Sequence, residues 1–267
     1  VYTPAAGSLP TEVRTIDPKH FETAKVLAGA RNLPVKSLDA NNRVTEQSYD
    51  ALGRTTAVWL PGRNRGAGDS ANMTFDYALS KTAPTSVTTK TLRASRNYTS
   101  SIKILDSFLN ERQLQESARN GGAGRLITDT FYDSLGRTAK TNQPYYTGGS
   151  PSTTRYIAND DEVPGQTGLF YDGQGRRTAE AFSSKAIEQW RTTTTYPGAD
   201  RTDVVPPKGG TATSAIGDPR GKIRELRRYR DTTPAATGAY ESTWYTYDAR
   251  GQLDTAKDHA GNTWSYE

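Results

Sequence analysis

The chain has 267 residues, of which 33% are hydrophobic and 24% charged, with a mean hydropathy of −0.78. That apolar fraction is too low for a domain of this length packed around a continuous apolar core, yet 15 Tyr, 6 Phe and 4 Trp are too many for a disordered chain. Cysteine is absent, which excludes disulfides, thiol catalysis and thiolate metal sites; the net charge of +5 is mildly basic, and no run approaches the ~20 apolar residues of a membrane-spanning helix. A thin curved sheet with a polar inner face reconciles these facts, because Tyr and Thr can pack while keeping a hydroxyl at water or a partner.

Residues 1–36 show little internal repetition and read as a lead-in segment. From residue 37 onward one short phrase recurs. It appears as Tyr49-Asp50-Ala51-Leu52-Gly53-Arg54, Tyr132-Asp133-Ser134-Leu135-Gly136-Arg137 and Tyr171-Asp172-Gly173-Gln174-Gly175-Arg176, and, with Gln for Arg, as Tyr247-Asp248-Ala249-Arg250-Gly251-Gln252. The Asp residues lie 83, 39 and 76 positions apart, near even multiples of a unit of about 20 residues, a period typical of stacked repeats. Weaker copies fill the gaps: Leu38-Asp39 to Arg43, Phe75-Asp76, Leu105-Asp106 before Asn110, the scrambled Tyr196-Pro197-Gly198-Ala199-Asp200-Arg201, Asp218-Pro219-Arg220-Gly221-Lys222, and Asp258-His259-Ala260-Gly261-Asn262.

The phrase has the chemistry of a hairpin. Tyr closes one strand. Asp opens a turn because its carboxylate accepts a backbone N–H two residues on. Gly supplies a backbone position with φ above zero, and Arg or Gln starts the return strand. Flanking segments rich in Thr and aromatics, 125–132, 190–196 and 242–247, are strand material. The expected fold is therefore all-β, a series of antiparallel hairpins over 37–267. Two readings stay open for 101–119: a short helix, since Ile102, Leu105 and Leu109 fit helical spacing, or a degenerate hairpin turn at Asn110-Glu111-Arg112. Loops are expected at 61–69 and 146–153, where Gly, Pro and Ser concentrate.

Chemistry finds little footing. His20 and His259 are the only histidines; His20 has no sequence partner, and His259 occupies a variable turn position. The Asn159-Asp160-Asp161-Glu162 cluster lacks the spacing of a calcium loop and reads as solvated. Glycine-rich stretches match no nucleotide-binding pattern. The basic stripe Arg220, Lys222, Arg224, Arg227, Arg228 and Arg230 is interleaved with Asp218, Glu225 and Asp231 and lacks a nucleic-acid motif, so a solvated strand is favoured. The repeated tyrosines could stack sugars as a ladder; cross-strand packing, with Arg54, Arg137 and Arg176 lying over neighbouring rings, is the favoured reading.

The repeated phrase resembles the Rhs/YD-repeat family, whose unit reads approximately Tyr-Asp-x-x-Gly-Arg-Leu-x-x-x-x-Asp-x-x-Gly-Asn-x-x-x-Tyr. The stretch from Tyr247-Asp248 through Gly251, Leu253, Asp258, Gly261, Asn262 and Tyr266 follows it most closely. The resemblance implies a spiralling antiparallel sheet that forms part of a hollow shell. Bacterial members of the family enclose a toxin domain, and the similar teneurins and insecticidal toxin-complex components use related shells. The family's self-cleaving motif is not carried over, because Lys222 follows Asp218-Pro219-Arg220-Gly221 where the motif has Leu.

The expected function is that of a structural, non-enzymatic wall module from a secreted or cell-surface bacterial protein, with both chain ends reading as internal to a longer parent. It would need no cofactor or metal. Its partners would be the other repeats of that parent, an enclosed C-terminal toxin domain, and a surface glycan or receptor, with no nucleic acid and no membrane span. The rivals are a carbohydrate- or protein-binding adhesion module and, further off, a glycosidase or peptidase.

Overall fold

The computed structural model describes residues 1–4, 7, 9–94, 96–118, 122–235 and 239–266. It is all-β. In chain order the strands are β1 (Tyr2–Thr3), β2 (Glu12–Ile16), β3 (Glu22–Ala28), β4 (Leu33–Leu38), β5 (Val44–Tyr49), β6 (Thr55–Trp59), β7 (Met73–Ala78), β8 (Thr85–Leu92), β9 (Tyr98–Leu105), β10 (Glu111–Ser117), β11 (Arg125–Tyr132), β12 (Thr138–Thr147), β13 (Gln166–Tyr171), β14 (Arg177–Ser184), β15 (Ile187–Thr195), β16 (Arg201–Val205), β17 (Thr213–Gly217), β18 (Ile223–Tyr229), β19 (Tyr240–Tyr247), β20 (Leu253–Lys257) and β21 (Thr263–Ser265). These strands form one antiparallel sheet, and the helical residues described are two single 3-10 turns, Arg65–Ala67 and Asp160–Glu162.

The chain divides into two compact units. The first comprises Val1–Asp129 with Pro144–Tyr156, the second Thr130–Gln143 with Ile157–Glu267. In the first, every strand from β1 to β10 pairs with its successor. In the second, the same holds from β12 to β20. Such next-neighbour pairing is what a chain of consecutive hairpin signals produces.

Burial is as polar as the composition requires. In the first unit a cross-strand row runs Ser86, Ile104, Gln113, Asp129, and the next runs Thr88, Ile102, Gln115, Ile127. Ile104 and Ile127 are 1% and 0% exposed, but so are Gln113 and Gln115, both at 0%. The two glutamines are satisfied by a strap that follows β12. Gln113 donates to the Tyr156 carbonyl and accepts from its N–H, while Gln115 donates to the Thr154 carbonyl and accepts from the Ser152 N–H. A buried amide that makes its full set of bonds imposes no desolvation penalty on the sheet, whereas an unpaired one would.

The helix reading of 101–119 is overturned. β9 runs to Leu105, a turn spans 106–110, and β10 begins at Glu111. Strict alternation wins over the helical spacing: Ile102 and Ile104 bury one face while Lys103 is exposed. Asp106 also captures the N–H groups of Phe108 and Asn110, which a helix would need for its ladder. The turn is centred three residues before the Asn110-Glu111-Arg112 position expected for it, and Arg119 lies outside the described residues. Phe75-Asp76 is not a turn either, since both residues are inside β7.

Candidate functional site

The repeated residues converge on one local device, a three-residue hairpin loop closed between an Asp and the residue four positions on. At Asp133 the backbone N–H donates to the Arg137 carbonyl at 2.9 Å and the Gly136 N–H donates to the Asp133 carbonyl at 3.0 Å. The carboxylate completes the clamp: Oδ1 accepts from the Leu135 and Arg137 N–H groups, both at 2.9 Å, and Oδ2 accepts from Arg137 Nε at 2.7 Å. Asp50 with Arg54 and Asp172 with Arg176 repeat every one of these bonds. Asp106 and Asp258 do so with Asn110 and Asn262, whose amides stand in for the guanidinium. Asp248 closes the same loop with Gln252. At Asp218 the neighbouring Arg220 supplies the charge.

Electrostatics follow from this geometry. Partial desolvation pushes the Asp50, Asp133 and Asp172 carboxyls up, and the bonds from the i+4 residue's backbone and guanidinium and from the i+2 N–H outweigh it, so each lies below the usual carboxylate range. At Asp218 the Lys222 N–H leads the lowering, and at Asp258 the Asn262 amide does.

The third loop residue has positive φ throughout: Gly53 at 79°, Gly136 at 76°, Gly175 at 81°, Gly251 at 79° and Gly261 at 96°. Four copies place other residues there, namely His20, Asn42, Arg96 and Leu109, at 65°, 58°, 63° and 65°; the turns of Asn42 and Leu109 are among the weaker copies read from the sequence, whereas those of His20 and Arg96 were missed. His20 thus belongs to an Asp17 turn inside the lead-in segment, where the Asp17 carboxylate accepts from the Lys19 and Phe21 N–H groups. No glycine marked the two missed turns; Asp17 was the only sign of the first, and in the second Arg93 stands where the Asp would be.

The tyrosines tie successive hairpins together. Tyr171 donates from its hydroxyl to the Thr138 carbonyl at 2.9 Å, just beyond the preceding turn, and Arg137 of that turn lies over its ring at 4.4 Å. Tyr77 does the same with Thr55 and Arg54, and Tyr196 with Arg177 and Arg176. Tyr247 bonds the Ile223 carbonyl beneath Lys222. Tyr49 bonds the Pro34 carbonyl, and Tyr132 closes β11 half-buried. With their hydroxyls engaged and a cation over one ring face, Tyr77, Tyr171 and Tyr196 serve as packing between hairpins. Sequence reasoning missed Tyr77 in this role, because it stands three positions after Asn72-Met73-Thr74 with no Asp following it.

The remaining clusters are static. In the second unit Arg201 clamps Asp203 at 2.7 and 2.9 Å, and the buried Ser214 hydroxyl donates to Asp203 while lying 2.9 Å from the Tyr229 oxygen. Arg227, Glu225 and Ser242 repeat the pattern two strands on. The Arg227 guanidinium holds the Glu225 carboxyl below its ordinary range, which makes it a poor base. His259 meets the Ser242 backbone N–H and not its hydroxyl. In the acidic cluster Asp160 is bound by Lys140 and Gln166, and Glu162 accepts from the Asn159 N–H. No group of three or more His, Cys, Asp or Glu that could hold a metal occurs among the described residues. Arg227 and Arg230 of the basic stripe are paired to Glu225 and Glu241.

No protein-family model and no curated protein matches the chain. Solved structures do. A crystal structure of TcdB2-TccC3 aligns with a TM-score of 0.73 and 17% identity over 95% of this chain. The Photorhabdus luminescens Tc holotoxin pore aligns with a TM-score of 0.72 and 16% identity over 92%. This chain spans only 16% and 17% of the length of those chains. The likeness shows the fold: the sheet of consecutive hairpins is one also built within Tc toxin complexes, as the sequence resemblance implied.

Proposed function

We propose that the chain is a section of a repeat-built β wall that encloses or displays an effector domain carried by a longer, secreted or cell-surface protein, and that it is not itself an enzyme. The observation that carries this reading is the backward link from Tyr77, Tyr171, Tyr196 and Tyr247 to the start of an earlier strand, just beyond its turn, repeated in a fold shared with TcdB2-TccC3. A residue that does the same structural work in every hairpin builds a surface of any required extent. The polar bonds that bury Gln113, Gln115, Asp203 and Ser214 equally suit a sheet with little apolar interior. Limited proteolysis of the full parent protein tests the reading. The enclosed domain resists cleavage in the wild type and becomes sensitive when Gly136→Val and Gly175→Val weaken the wall; equal sensitivity of the domain with and without an intact wall overturns it.

A binding module is the second reading, favoured by one observation. Trp190 is 37% exposed and stacks on Phe182 with ring centroids 5.7 Å apart, an aromatic platform that no cation covers among the described residues. Specific glycan-array signal lost in Trp190→Ala supports it, and a blank array removes it.

A further inference from the structure

In the first unit, the loop between β6 and β7 and the turn between β8 and β9 border an open groove of about 420 Å³ lined by Gly62, Arg63, Gly68, Asp69, Ser70, Leu92 and Arg96. Its charge is unbalanced. Asp69 is tied down by the Asn64 N–H at 2.9 Å. Arg63 makes a single long bond, 3.3 Å, to the Ser70 carbonyl, and Arg96 makes no side-chain hydrogen bond or ion pair among the described residues.

The turn that supplies Arg96 breaks the local code. Arg93 closes the loop with the same backbone bonds to Asn97 and Arg96 that Asp makes in nine other turns, but it brings no carboxylate clamp. Arg96 itself occupies the positive-φ position at 63°, where glycine is unstrained and a long side chain is not. A turn that gives up both its clamp and its glycine for arginines, and points one of them into a groove with a second arginine, departs from the rule in the direction of a ligand.

We propose that this groove binds a small oxyanion, a carboxylate or a phosphate, held between the Arg63 and Arg96 guanidiniums, whose planar forks match either group. The groove volume admits a group up to the size of an acidic monosaccharide. The proposal is independent of the wall reading and survives its failure.

Calorimetric titration of the 267-residue chain with inorganic phosphate, acetate and glucuronate, each against potassium chloride at equal ionic strength, tests it. A saturable signal with at least one of the three, at a Kd of about 1 mM or tighter, is expected, and the ranking tells phosphate from carboxylate ligands. Arg96→Gly should weaken that binding about tenfold or more while raising Tm, because it relieves the turn; Arg63→Gln should weaken it comparably without changing Tm. Binding indistinguishable from chloride overturns the proposal. So does full affinity in folded Arg63→Gln or Arg96→Gly protein.

Discussion

At the scale of single residues, the hairpin loop separates two demands that the sequence phrase presents together. Asp is needed for what its side chain accepts, Gly for what its backbone adopts. At Gly136 a Cβ would meet nothing within 4 Å, so the whole cost of a side chain there is conformational. Gly136→Val should therefore destabilise by about 1–2 kcal/mol, while Ser134→Ala at the exposed loop tip should change stability by less than about 0.5 kcal/mol; urea midpoints of the two variants make the comparison. Leu109 is the converse case. It stands 64% exposed at a φ of 65°, so Leu109→Gly should stabilise by roughly 1 kcal/mol, and a loss of stability would show that its side chain has work elsewhere. The four phrases with glycine were legible because Gly marks the conformation directly. His20, Asn42, Arg96 and Leu109 adopt it without the marker, because the closing backbone bonds impose it once the strands pair.

At the scale of the hairpin, stability resides in a link between elements and not within one. Tyr171 is bound to the Thr138 carbonyl and covered by Arg137, and Arg137 Nη1 in turn lies 3.4 Å from where a Cβ on Gly175 would sit. Tyr171→Phe should lose about 0.5–1.5 kcal/mol. A double-mutant cycle with Arg137→Met should give a coupling of about 0.5–1 kcal/mol, as expected of a partly exposed cation over a ring; additive effects would mean that the ring and the guanidinium do not cooperate. The sequence showed the turns but not these links. The tyrosine and its acceptor carbonyl are separated by 22 residues at Tyr77, 33 at Tyr171, 19 at Tyr196 and 24 at Tyr247. Variable loops between strands blur a spacing that is constant in space. The 101–119 stretch was ambiguous for a related reason: three apolar residues fit a helical period by chance, and the Asp106 clamp that decided the matter depends on contacts that single-residue spacing does not encode.

At the scale of the whole molecule, the all-β architecture followed from turn chemistry and composition, and the polar burial followed from a low apolar fraction. The pairing of individual Gln, Ser and Arg side chains did not, since it depends on which strands end up adjacent. Acid should act on the whole sheet at once. The clamp carboxyls of Asp50, Asp106, Asp133, Asp172, Asp218 and Asp258 lie below their unfolded values. The unfolded chain therefore binds more protons as pH falls below about 4. Their contribution is present in full above that pH and is lost as pH drops through the folded values. Denaturant midpoints should hold between about pH 7 and 5 and fall steeply below about pH 4, and Asp50→Asn, Asp133→Asn and Asp172→Asn combined should flatten that fall. The tyrosine links carry one further consequence. Every one of them points toward the N-terminus: Tyr77 reaches back to residue 55, Tyr171 to 138, Tyr196 to 177 and Tyr247 to 223. A polypeptide leaving the ribosome N-terminus first would thus always find the acceptor for its newest strand already in place, so that the sheet can grow during synthesis by docking each hairpin on a finished one without waiting for the rest of the chain.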